Sequence, residues 1–228
     1  MRILQVCSAE GIGGGEVHVA DLTLGLVERG LHVELAVRPT SHLPDLVARM
    51  SPERAEGLTW HRLPFRNAVD LSSTRGLARI IEQNRIDVVH AHVARDYPVV
   101  ALAATPKHRA MIVLTRHHYL PLKGNILYRR MLAKATIIAV SKSVRRTVIE
   151  SLGASPDQVF TIPNWIDLEK ASEPRERAAE RHALAITRRV AIALIGQITP
   201  LKGHEEFLSA VARVAEARAD VEFLVVGD

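Results

Sequence analysis

The sequence is short of cysteine and aromatics and has no long apolar run. Cys7 is the single cysteine among 228 residues, which excludes an internal disulfide framework and cysteine-pair redox chemistry; a reducing, cytoplasmic compartment is the simplest setting. Aromatic residues make up 4% of the chain, too few for the base-stacking platforms of single-strand binders. Neither zinc-finger spacing nor an aromatic RNP-like run is present, so nucleic acid is not an expected partner. The best apolar stretches, Ala135 to Val140 and Val190 to Ile195, fall far short of the roughly 18 residues that cross a bilayer. The run Ile3 to Cys7 is too short for a secretory signal core and leads into Ser8 and Glu10, so it reads as a strand.

What is present is an ordinary globular composition, 47% hydrophobic and 24% charged, arranged in a clear rhythm. Short Val- and Ile-rich runs alternate with segments of helical spacing, the pattern of parallel strands crossed by helices in an α/β fold. Strands are expected at Arg2–Cys7, Leu31–Val37, Leu58–Leu63, Ile86–His90, Met111–Thr115, Thr136–Val140 and Gln158–Ile162. A helix is expected from Glu16 to Arg29, with Val17, Ala20, Leu24 and Val27 at helical intervals and Gly30 in the left-handed conformation that stops it. Across residues 168–185 charges crowd around Pro174 and the rhythm breaks. It restarts with a strand at Val190–Ile195, a helix from about Gly203 to Arg218 and a strand at Val221–Val226. The expected organisation is a first domain over 1–167, a charged connection over 168–185 and the start of a second domain over 186–228, which two strands and one helix would leave incomplete.

Three places carry candidate chemistry. Gly11-Ile12-Gly13-Gly14-Gly15-Glu16 follows the first strand, where glycines admit close backbone approach and the helix start favours an anion. The dinucleotide fingerprint fails there in both registers, because Glu16 and His18 stand where glycine is needed, and the second strand ends in Val37-Arg38 rather than in an acid. Arg38 could still meet a 2′-phosphate, which keeps an NADP-dependent oxidoreductase as the weakest alternative. His90 and His92 leave the fourth strand, and His117 and His118 leave the fifth. Adjacent parallel strands deliver their carboxyl ends to one edge, where ligands bind. Polar contacts to a ligand are favoured over a metal, since only Asp96 offers a carboxylate nearby, and no metal is assigned. Residues 115–150 hold Arg116, Lys123, Arg129, Arg130, Lys134, Lys142, Arg145 and Arg146 against Glu150 as the only acid. Lys142, Arg145 and Arg146 share one side of a helix and Val144, Val148 and Leu152 the other, so the basic side is either a solvated face or a contact for anionic lipid headgroups. Finally, Gly196 to Gly203 turns from a strand into a helix and places Lys202 where its charge suits a diphosphate.

Taken in order, these residues resemble the retaining glycosyltransferases of the GT-B fold, glycosyl transferase group 1, family 4. The resemblance rests on Gly14-Gly15-Glu16, His90-Ala91-His92, Thr115-Arg116-His117, Ala139 to Arg145, Ile162-Pro163-Asn164-Trp165-Ile166-Asp167 and Gly196 to Gly203. It implies a Rossmann-like acceptor-side domain followed by a nucleotide-sugar domain. It also implies Gly14 and Gly15 near the donor phosphate or acceptor, Glu16, His92, Gln197 and Asn164 as binding residues, His117 against the donor sugar and Lys202 on the donor diphosphate, with no cofactor or metal required. The partners it implies are a nucleotide-sugar and a glycan or glycolipid acceptor, in bacterial envelope glycan synthesis such as lipopolysaccharide, at the inner face of the cytoplasmic membrane.

Two departures stand out. Gln197 occupies a position where the family usually has arginine, and an amide does not offset a phosphate charge. Trp165 places a bulky ring where the family has glycine. The paired-glutamate signature of the family lies beyond Asp228, so the 228 residues alone are expected to turn over little. A non-catalytic glycan- or nucleotide-binding module, favoured by Gln197, is the alternative.

Overall fold

The computed structural model describes residues 1–105, 109–122, 124, 126–166, 168 and 176–227. Lys123, Asp167 and the core of the charged connection, with Glu169, Lys170, Glu173, Pro174 and Arg175, lie outside the described residues. The chain divides into two compact units, Met1–Trp165 and Ile166–Asp228.

The first unit carries all seven expected strands: β1 (Arg2–Cys7), β2 (His32–Val37), β3 (Thr59–Arg62), β4 (Val88–Ala91), β5 (Met111–Arg116), β6 (Thr136–Ala139) and β7 (Val159–Thr161). They form one parallel sheet in the order β3-β2-β1-β4-β5-β6-β7. The order reverses between β1 and β4, and in open parallel sheets the crevice beyond the carboxyl ends at that point is where ligands bind. Helices α1 (Gly14–Glu28), α2 (Leu43–Met50), α3 (Pro52–Glu56), α4 (Leu71–Gln83), α5 (Tyr97–Ala103), α6 (Ile126–Leu132) and α7 (Lys142–Leu152) make the crossovers.

Both faces of the sheet are covered, which is why β1 and β2 are buried along nearly their whole length instead of alternating. Cys7, Leu35 and Val37 pack with Val19, Ala20 and Leu24 of α1 and with Leu43 and Val47 of α2. Leu4, Val6 and Ala36 point the other way, into a core shared with Leu77 and Ile81 of α4, Val99 and Val100 of α5 and Val144 and Val148 of α7. The period-2 alternation of a strand divides the two cores.

Two expectations shift and one stands. α1 buries Val19, Ala20, Thr23 and Leu24, whereas Val17 is exposed, so the helix is rotated from the stripe drawn through Val17 and Val27. β4 starts at Val88 because the Ile86 N–H donates to Ile81 O and is taken up in closing α4. The glycine stop at the end of α1 is as expected, with Gly30 at φ 74°.

The second unit holds α8 (Arg177–Ala183), β8 (Val190–Ile195), α9 (His204–Ala217) and β9 (Val221–Val226), with β8 and β9 paired in parallel from Val190↔Val221 to Ile195↔Val226. Lys202 ends a short 3₁₀ turn, Pro200–Lys202, and Gly203, at φ 74°, leads into α9. No helix among the described residues is long and apolar enough to cross a membrane.

Candidate functional site

Histidines converge at the carboxyl edge of the sheet. His90, in β4, is buried and its Nε2 lies 2.7 Å from Thr115 Oγ1. Its ring lies 4.1 Å, tilted by 35°, from that of His92, which follows β4 and is also buried. His92 Nε2 lies 2.6 Å from Oε1 of the fully buried Gln5 of β1. An amide oxygen accepts, so His92 donates through Nε2 and leaves Nδ1 as a lone pair; Nδ1 is buried and without a partner. His117, after β5, is half-buried, and both of its ring nitrogens lack partners. His18, on the first turns of α1, completes the group, its ring 5.0 Å from His117 and 6.0 Å from His92. Trp165 lies against His18 at 4.7 Å.

Burial keeps these rings neutral. It pulls His90 down to about 3 and His117 to about 4, and the nearby His18 imidazole adds to both shifts by disfavouring a second positive charge beside it. His92 is pushed well below the ordinary histidine range by the same burial, helped by His90 and His117, and His18 is lowered as well. A cluster of uncharged imidazoles with open nitrogens can donate to and accept from sugar hydroxyls, or ligate a metal, but it does not neutralise an anion.

The glycine turn lies beside this cluster. A Cβ built on Gly15 would sit 3.9 Å from His117 Cδ2, in ordinary van der Waals contact, so the glycine turn borders the imidazole directly. The Glu16 carboxylate turns back to accept from the Gly13 N–H at 2.9 Å, and its observed role is to cap its own helix.

The other expected residues fall into distinct groups. His118 is exposed and stays outside the cluster. Asp96 is fully buried and accepts from the Ser8 N–H at 2.9 Å; burial lifts its carboxyl to about 6, and it does not join the histidines. In Thr115-Arg116-His117 the first two residues are structural: Thr115 meets His90, and Arg116 donates to Leu120 O at 2.6 Å to hold the loop after β5. Arg38 is ion-paired with the exposed Glu10. Cys7 is buried, its thiol pushed up to about 12, and is inert. Ser141 caps α7 through the Val144 N–H, and Val144, Val148 and Leu152 line its buried side as expected. Arg145, assigned to the basic side, is committed elsewhere, donating to Val159 O at 2.8 Å and Pro156 O at 2.9 Å. Lys142 and Arg146 remain exposed beside a cavity of about 490 Å³. Asn164 is exposed in the segment after β7, and Gln197 and Lys202 are exposed in the turn between β8 and α9.

His18 and Gln5 were missed from sequence. The signal was available: His18 stands three residues after Gly15, on the helix that the glycine turn starts, and Gln5 is the one polar residue between Ile3 and Cys7.

Comparison with known proteins agrees with the architecture. The sequence profile of Glycosyltransferase Family 4 matches residues 12–170. The chain is 28% identical to the D-inositol 3-phosphate glycosyltransferase of Geodermatophilus obscurus, over 89% of this chain and 50% of that protein. It is also 28% identical to the enzyme of the same name from Segniliparus rotundus, over 95% and 53%. The chain thus spans about half the length of the curated relatives it matches. Among solved structures it is similar to a glycosyltransferase from Rickettsia africae, with TM-score 0.81 and 20% identity over 100% of this chain and 60% of that one. It is likewise similar to Anabaena Alr3699/HepE in complex with UDP and glucose, with TM-score 0.76 and 17% identity over 100% and 61%. At these identities the structural likeness speaks for the fold.

Proposed function

The chain belongs to glycosyltransferase family 4 and has the Rossmann-like parallel sheet of its GT-B fold; on that premise we propose that the intact protein transfers a sugar from a nucleotide-sugar, with retention at the anomeric carbon. The observation that carries this reading is the open, neutral imidazole of His117 beside Gly15, with the equally open ring of His92 6.0 Å from it, at the carboxyl edge of the sheet. A sugar presents hydroxyls that both donate and accept, and uncharged rings with unused nitrogens match them. Gly14 and Gly15 admit the ligand backbone-close, and His117 is the residue assigned to the donor sugar.

Breaking the sugar–phosphate bond builds negative charge on the departing nucleoside diphosphate. The imidazole cluster does not supply the balancing charge; the exposed Lys202 at the start of α9 is assigned that role, with no metal required. HepE, which holds UDP and glucose, supports a nucleoside diphosphate sugar as the donor class. The acceptor we propose is a lipid-linked glycan or polysaccharide of the bacterial envelope, with Lys142 and Arg146 meeting anionic headgroups at the inner membrane face. Arg145 is dropped from that contact because its guanidinium is held by two carbonyls. The relatives named for D-inositol 3-phosphate make a phosphorylated polyol the acceptor to assay beside it. The second reading, a binding module without turnover, is favoured by Gln197 in place of arginine.

Lys202→Ala in the intact enzyme tests the assignment. Removing one well-placed donor to developing charge costs about 2.7–4 kcal/mol, so diphosphate release from the preferred sugar nucleotide is expected to slow by roughly 10²–10³. Unchanged turnover removes Lys202 from the role. Absence of turnover in the intact wild type, with sugar-nucleotide binding retained, favours the binding module.

A further inference from the structure

We propose that His18, His92 and His117 form a binding site for a divalent transition-metal ion of the zinc class. One ring nitrogen from each residue can be chosen so that all three lie within 4.8 Å of one another. Tetrahedral zinc, with metal–nitrogen bonds of about 2.0–2.1 Å, asks for nitrogens about 3.4 Å apart. Rotation of the imidazoles by about an ångström closes that difference, and side-chain torsions provide it without moving a strand.

The nitrogens are available. His92 Nδ1 and both ring nitrogens of His117 are buried with no hydrogen-bond partner, which in a folded protein calls for an explanation. The tautomer of His92 is set by Gln5: the amide oxygen takes the Nε2 proton at 2.6 Å, and the lone pair is left on Nδ1. A ligand histidine whose far nitrogen is tied to a buried acceptor is the usual outer-shell arrangement of a metal site. The His90 ring lies against that of His92, with centroids 4.1 Å apart and planes tilted by 35°.

The donor set selects the metal. It is all imidazole, with no carboxylate in the group among the described residues, which suits zinc, cobalt, nickel or copper and not magnesium or calcium. Three protein ligands leave the fourth position to water or an anion, so the ion is exchangeable. The proposal does not depend on the transferase reading and makes no claim that transfer needs the ion. Its difference from a purely sugar-facing cluster is the mutual proximity of one ring nitrogen from each of three histidines.

Tag-free, chelator-treated chain titrated with Co²⁺ tests it. The expected result is one equivalent of Co²⁺ with a visible d–d spectrum of a low-coordinate nitrogen site, displaced by Zn²⁺. His18→Ala and His117→Asn, each shown to be folded by circular dichroism and thermal unfolding, should each weaken Co²⁺ binding by at least tenfold. His61→Ala, on the edge strand β3 and outside the trio, should leave it unchanged. His18 lies half-buried on a helix flank, so its variant keeps the test informative if His117→Asn does not fold. No visible Co²⁺ band, or binding that survives His18→Ala, overturns the proposal, and activity assays of the intact enzyme have no bearing on the outcome.

Discussion

Two polar clusters are built into the same sheet, one around Glu34 in the middle of β2 and one at the carboxyl ends of β4 and β5, and they are treated in opposite ways. Glu34 has a side chain only 2% exposed and is saturated with donors. Arg2 and His32 reach Oε1 at 3.2 and 3.1 Å, His61 reaches Oε2 at 2.7 Å, and Asn84 adds a further bond. Burial alone would raise this carboxyl, but bonds from His61, Asn84, His32 and Arg2 outweigh it and hold the group below its ordinary value. At the carboxyl end His92 is buried and His117 half-buried, yet both keep unpartnered nitrogens. Saturation ties chain segments together; open valence in a desolvated place is kept for something that binds. Both clusters contain histidine, so residue type does not separate them, whereas partner count does.

Acidification should break the comparison most strongly. His90 is protonated near pH 6.5 when unfolded but only near pH 3 when folded, so its stability contribution is full above pH 6.5 and is lost as the pH falls toward 3. By pH 4 that loss is about 3 kcal/mol, at about 1.36 kcal/mol per pH unit. Asp96 runs the other way: raised from 3.8 to about 6, it takes up a proton in the folded state first and returns about 2 kcal/mol over the same window. His92, shifted in the same direction as His90 by the same burial, tips the balance to net loss. Thermal unfolding in chelator should show a melting point several degrees lower at pH 4 than at pH 7; a flat profile would mean that the imidazoles are solvated.

Glu34→Ala comes next. It removes the shared acceptor of four donors, and because Arg2, His32 and His61 are partly exposed and can rehydrate, the expected loss is about 2 kcal/mol in urea unfolding. Co²⁺ binding should not change; a parallel loss of both would show that the two clusters are coupled. His32→Ala is the smallest effect. Its side chain is 47% exposed and Glu34 retains three other donors, so urea unfolding should register about 0.5 kcal/mol or less. A loss as large as that of Glu34→Ala would make the network cooperative.

Much of the first unit was legible in the chain. Six of the seven strands appear where runs holding Val and Ile stand, because a parallel strand covered on both faces must be apolar at nearly every position, and such runs have few other folded uses; the edge strand β3, Thr59–Arg62, holds neither residue. The details that escaped have local causes. β4 loses Ile86 to the closure of α4, and α1 turns away from Val17 because burial follows contact with Cys7, Leu35 and Val37 instead of spacing alone. Arg145 illustrates the limit for sites: its helical position marks it as part of a basic face, yet two carbonyls of the segment before and within β7 claim it.

By itself the sequence determined that strands alternate with helices in a parallel sheet, that a glycine turn opens the first helix, and that histidines sit at the ends of two strands, since each of these follows from local spacing and side-chain chemistry. Only the tertiary structure decided that β1 and β4 lie side by side. That adjacency brings Gln5 to His92 and carries His18 on α1 over to His117. Hydrogen-bond satisfaction is a property of neighbours in space, so which buried nitrogens are left open is fixed by packing and cannot be read along the chain.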